Sequence, residues 1–103
     1  MSGWCVAAVL AVVLAPVDAK AGGDVALGEY LSGQCTTCHQ ISGKDNGIPS
    51  IVGWDQASFI AVMGSYKLKE RENKAMQSIA SSLSDEDIAA LAAYFETIKP
   101  TGN

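Results

Sequence analysis

The residues Cys35-Thr36-Thr37-Cys38-His39 constrain this chain more than any other feature. Two thiols three positions apart, followed at once by an imidazole, form the spacing that attaches a c-type haem. Geometry fixes the order. Each thiol adds across one of two vinyl groups on the same porphyrin edge, and the adjacent His39 then lies beneath the ring, where its Nε2 reaches the iron. Three rival readings are weaker. A thioredoxin-like pair needs a surrounding βαβ pattern, and none is visible. A structural zinc site needs four ligands, yet Cys5 is the one remaining thiol and His39 the sole histidine. A Cys35–Cys38 disulfide would close a two-residue loop and gain little from it.

The first part of the chain reads as a targeting segment. Trp4 to Val17 is almost wholly apolar, and Ala19-Lys20-Ala21 offers a small-x-small cleavage site before Gly22, with a cut after Ala19 fitting nearly as well. This predicts a cleaved secretory signal over residues 1–21 and one domain over 22–103. The start is weak for a signal, since Met1-Ser2-Gly3 carries no Lys or Arg. The alternative, an uncleaved anchor, needs about 20 apolar residues. Cleavage removes Cys5 and leaves Cys35 and Cys38 as the only thiols, which suits an oxidising compartment such as the periplasm, where such a haem is attached.

About 80 residues then remain, a size at which an apolar core alone is marginal. A buried macrocycle tied to the chain would supply the missing contact. The formal charge is −4, and haem propionates would deepen it. Nothing is basic enough to favour nucleic acid. Mild acidity points to partners with a positive docking patch.

The rest of the chain predicts an all-α fold. Gly22-Gly23-Asp24 reads as a flexible lead, with Asp24 an N-cap. Val25 to Gly33 reads as a first helix, with Val25, Leu27, Tyr30 and Leu31 apolar and Gly28 marking close backbone packing. Gln40 to Gly53 is loop, punctuated by Gly43, Asn46-Gly47, Pro49 and Gly53. Asp55 caps a second helix through Tyr66, with Phe59, Ile60, Val62 and Met63 apolar. Lys67 to Lys74 is a mixed charge run and reads as solvated. Ser84 starts the last helix, with Asp85, Glu86 and Asp87 in its first turn. Ile88, Leu91, Ala92, Phe95 and Ile98 share one face, Lys99 falls in the last turn, and Pro100 and Gly102 end it.

Function turns on the sixth iron position, opposite His39. A side chain there makes the haem an electron carrier, whereas an open position allows gas binding or peroxide chemistry. Met63 and Met76 are the candidates. Met63 lies on the apolar face of a predicted helix and suits core packing. Met76 follows His39 by 37 positions, which gives the chain room to pass around the haem edge, and it is the favoured ligand.

With these residues in hand, the chain resembles the class I c-type cytochromes: a first helix ending in CTTCH, a Gly/Pro loop, a Met-bearing loop and a final helix, in that order. The resemblance implies three to five helices wrapped around one covalently attached haem. It further implies that Gly28, Tyr30 and Leu31 pack against Leu91, Tyr94 and Phe95, and that the Pro49 carbonyl accepts from His39 Nδ1. The stretches Ile48 to Gly53, Phe59 to Met63, Tyr66-Lys67, Arg71, Met76, Ile79-Ala80 and LSDEDIAALAAYF are similar to cytochrome subunits of flavocytochrome c sulfide dehydrogenase. Many members of that family carry two haem domains, whereas this chain has a single CxxCH. The likeness implies Met76 as iron ligand and an FAD-containing, sulfide-oxidising partner. Cys35, Cys38, His39, Met76 and Pro49 are then the cofactor-binding residues, His39 and Met76 the metal ligands, and no residue is catalytic. The alternatives are a free-standing soluble carrier and an open-site haem catalyst or gas sensor. No stable membrane insertion is expected.

Overall fold

The computed structural model describes residues 22–101, together with Gly3. The expected signal segment and its cleavage site lie outside the described residues. Five helices follow in order: α1 (Val25–Leu31), α2 (Gly33–Thr36), α3 (Gln56–Lys67), α4 (Lys74–Ser81) and α5 (Asp85–Glu96). There is no strand among the described residues, so the fold is all-α as the sequence predicts.

The final helix is the centre of the packing. Ser84 and Asp87 close a capping box, each side chain bonding the other's backbone N–H at 3.0 Å. That reciprocal pair satisfies two donors that the first turn leaves open. Ile88, Leu91, Ala92 and Phe95 are all buried, as their spacing predicts. The Phe95 ring stacks on Phe59 of α3, with centroids 5.8 Å apart. The helix ends at Glu96, so Lys99 lies beyond its last turn rather than within it.

Small residues on α5 let α1 come within backbone contact. A Cβ on Gly28 would stand 2.0 Å from the Ala90 carbonyl oxygen, and one on Gly23 would stand 2.2 Å from that of Ala89. Gly23 therefore belongs to the helix contact and not to a flexible lead. Tyr30 departs from expectation in the other direction: it is 83% exposed. Gly28 and Leu31 lie three positions apart on the inner side of α1, which turns Tyr30 outward. The expected single helix to Gly33 is interrupted at Ser32, whose hydroxyl donates to the Glu29 carbonyl at 2.6 Å.

Asp55 caps α3, accepting from the Ser58 N–H at 3.0 Å and the Ser58 hydroxyl at 2.8 Å. Those bonds hold its carboxyl below the ordinary value of 3.8. Phe59 and Met63 face inward, but Ile60 is exposed. The helix closes in a Schellman turn. Glu70 N–H bonds the Ser65 carbonyl at 2.9 Å and Lys69 N–H that of Tyr66 at 3.0 Å, with Lys69 in the left-handed region at φ 59°.

The charge run is not purely solvated. The Lys67 ammonium donates to the Leu83 carbonyl at 2.7 Å and lies 3.6 Å from the Asp85 carboxylate, which ties α3 to the start of α5. Beyond the run the structure adds a helix that the sequence reading lacked. Met76 sits on α4 and not on a loop, with Asn73 capping that helix through the Met76 N–H at 3.0 Å.

Two glycine substitutions test the packing argument in opposite directions. Gly28→Ala should lower stability by about 1–3 kcal/mol, because backbone meets the new methyl. Gly64→Ala, within α3 where a Cβ meets nothing within 4 Å, should raise it by about 0.5–1 kcal/mol. Chemical denaturation of the two variants reads both signs.

Candidate haem site

The helix turn α2 and the residues after it present the motif. Thr37 donates to the Gly33 carbonyl at 3.0 Å, and the N–H groups of Cys38 and His39 both return to the Cys35 carbonyl, at 3.1 and 2.8 Å. This tight turn sets Cys35, Cys38 and His39 along one wall of a cavity of about 690 Å³. Neither cysteine forms a disulfide.

His39 is buried, and its Nδ1 lies 2.6 Å from the Pro49 carbonyl oxygen. A carbonyl can only accept, so Nδ1 carries the proton and Nε2 keeps its lone pair for a metal. The loop that supplies Pro49 is held from several sides. Asp45 accepts from the Gly47 N–H at 2.9 Å. Ser42 accepts from Thr101 N–H at 2.8 Å, and Gly53 N–H donates to the Phe95 carbonyl at 2.9 Å. Gly43, at φ 82°, lies against Pro100 and Val52, so its left-handed turn and its lack of a side chain are both required.

Helices α3 and α4 supply further lining. Met63 and Met76 both line the cavity, Met63 being 5% exposed and Met76 half-buried. All five residues singled out by the sequence thus border one space. The structure adds others: Ile48, Ile51, Trp54, Val62 and Ile79 make the lining largely apolar, and Tyr66 and Arg71 stand together at it, with the guanidinium 5.7 Å from the ring centroid. Trp54 and Arg71 are the chemically distinctive additions. The sequence signal for them was their position, one just after the Gly/Pro loop and the other inside the charge run.

The lining fits a haem. The volume falls in the range of roughly 300–1,000 Å³ usual for cofactor sites. Burial pushes the Cys35 thiol up to about 11, so this wall favours a neutral sulfur, and a thioether is one. Cys35 and Cys38 would tether the porphyrin, and the free Nε2 of His39 would bind the iron. When bound, the group supplies a one-electron ferrous–ferric couple. The chain's own part is to exclude water with its apolar lining and to orient His39 through Pro49.

Helix order, haem-attachment motif and cavity together define a class I c-type cytochrome. The family described as cytochrome c oxidase, cbb3-type, subunit III, matches residues 25–95. Cytochrome c4 of Pseudomonas aeruginosa is 31% identical over 83 residues, which cover 79% of this chain and 41% of that protein. Cytochrome c-554(548) of Halomonas halodenitrificans is 34% identical over 80 residues, covering 73% of this chain and 96% of that protein. The chain belongs to the class I c-type cytochromes, carries covalently bound haem c, and is an electron-transfer protein. It spans about two-fifths of the length of the c4 relative and nearly all of the c-554(548) relative.

Replacing both Cys35 and Cys38 by Ala should abolish covalent haem. Haem-stained denaturing gels should show no band for the double variant, while each single variant keeps a weaker one.

Proposed function

We propose that the haem is ligated by His39 and Met76 and serves as the electron acceptor of a sulfide-oxidising, FAD-containing flavoprotein in the periplasm, after removal of residues 1–21. The observation that carries the ligand assignment is the shared cavity, which His39 and Met76 both line. A thioether in the sixth position closes the iron to small molecules and raises its potential relative to harder donors. The helical setting of Met76 supports the same reading, because Asn73 anchors the first turn of α4 through the Met76 backbone. Met63 lines the same space from a more deeply buried site, and its place in the buried core that also holds Phe59 and Phe95 accounts for it. Export is supported by the apolar Trp4–Val17 stretch with its small-residue cleavage site, and no described helix is long and apolar enough to cross a membrane. The flavoprotein partner rests on the sequence similarity of residues 48–53, 59–63 and 83–95.

A second reading has its own support. A free-standing carrier fits the match to a cytochrome that this chain covers over 96% of its length. Isolation from the native source separates the two: co-purification with a flavin-containing chain supports the first, and elution as a lone small monomer supports the second. For the ligand, the weak ferric absorption band at the red end of the spectrum should vanish in Met76→Ala and survive in Met63→Ala. Loss of the band in Met63→Ala alone would transfer the assignment to Met63.

A further inference from the structure

The end of α5 carries an unbalanced charge. Glu96 is the last residue of that helix and no basic side chain stands in its last turn, so the carboxylate adds to the negative end of the helix dipole. The start of α3 holds it in place. Gln56 N–H donates to Glu96 Oε2 at 2.9 Å, and the Gln56 side-chain amide donates to Oε1 at 3.3 Å. Among the described residues the one ion pair is Lys67–Asp85, so Glu96 has no cation from them. The amide of Gln56 uses its N–H on Glu96, which leaves its own oxygen as an acceptor.

The start of the domain comes to that oxygen. A Cβ on Gly22 would stand 2.7 Å from Gln56 Oε1, and Gly22 sits at φ 118°, a conformation that suits glycine alone. Its backbone nitrogen shares that Cα, so it lies within about 5 Å of the oxygen. Gly23, against the backbone of Ala89, fixes the course of the chain up to this point. The neighbouring carboxylates are engaged elsewhere: Asp24 accepts from the Ala26 and Leu27 N–H groups, and Asp55 accepts from Ser58.

We infer that the leader is cut between Ala21 and Gly22, and that the ammonium this creates seats on Gln56 Oε1 with Glu96 as its counter-charge. The inference rests on the removal of residues 1–21 proposed above. In the precursor the Gly22 nitrogen is a neutral amide. Hydrolysis of the Ala21–Gly22 bond consumes one water, leaves a carboxylate on Ala21 and turns that nitrogen into a cation. The new charge stands where the α5 dipole and Glu96 are both negative. Processing thereby adds a clasp between the chain start, α3 and α5. A cut after Ala19 would carry Lys20 and Ala21 past the site and leave the Gly22 nitrogen neutral.

The test uses the haem-bearing protein exported from the full-length gene. Its intact mass should equal residues 22–103 plus one haem. Inserting one Ala ahead of Gly22 displaces the ammonium and should lower the thermal midpoint by about 1–4 °C at low salt. The fall should shrink in 1 M salt, where the Debye length is about 3 Å. Transamination of the terminal amine to an aldehyde removes the charge without lengthening the chain, and should lower the midpoint as much. In Glu96→Gln, whose side chain still accepts from Gln56, neither change should move the midpoint. A fall equally large in Glu96→Gln, or none in either background, would overturn the clasp and leave export standing. A mature chain that begins at Lys20, or that keeps residues 1–21, would overturn the cleavage reading and the clasp with it.

Discussion

The backbone contact between α1 and α5 is the constraint from which the site is built. Gly28 and Gly23 bring the first helix against the carbonyls of Ala89 and Ala90, which sets where α2 begins and hence where Cys35, Cys38 and His39 stand. The other end of α5 acts on the same histidine from a second direction. The Phe95 carbonyl holds Gly53, and the segment beyond the helix holds Ser42 through Thr101. Between those two fastenings lies Pro49, whose carbonyl fixes the His39 ring. One helix thus positions both the motif and the group that orients its imidazole.

This division explains what a linear reading of the chain reaches. CTTCH and the α5 capping box are short-range patterns, complete within five or six residues, and both are legible without any tertiary knowledge. Gly28 is legible as well, because a glycine in a helix asks for a packing reason. Tyr30 and Ile60 are misread because an apolar face is only as wide as its partner: the seven-residue α1 buries Gly28 and leaves Tyr30 outside, and α3 buries Phe59 and Met63 and leaves Ile60 outside. Lys67 reads as a solvated charge, since its acceptor, the Leu83 carbonyl, lies sixteen residues away. The helix α4 did carry a signal. Asn73 stands at its N-cap, and Met76, Ile79 and Ala80 follow at helical spacing. The adjacent charge run masks it.

The electrostatics divide along similar lines. The acidic residues are spread over the surface, several of them employed as caps: Asp24, Asp55 and Asp87 each accept from backbone N–H groups. The basic residues are gathered in the connection between α3 and α4, next to the cavity. Net charge therefore describes the far field of this protein, while the one charged side chain lining the cavity, Arg71, is of the opposite sign. Apart from that one charge the cavity is largely apolar, and it would keep a bound haem poor in water.

The fastenings of the Pro49 loop also carry a consequence for the order of assembly. The thiols and His39 precede in the chain the groups that hold the loop, Phe95, Pro100 and Thr101. A growing or translocating chain presents its N-terminal part first. The segment that receives the haem is therefore complete before the hydrogen bond that fixes its histidine can be supported. Covalent tethering would bridge that difference in timing. Thioethers at Cys35 and Cys38 would keep the cofactor with the chain until the final helix and the segment beyond it arrive to fasten the Pro49 loop.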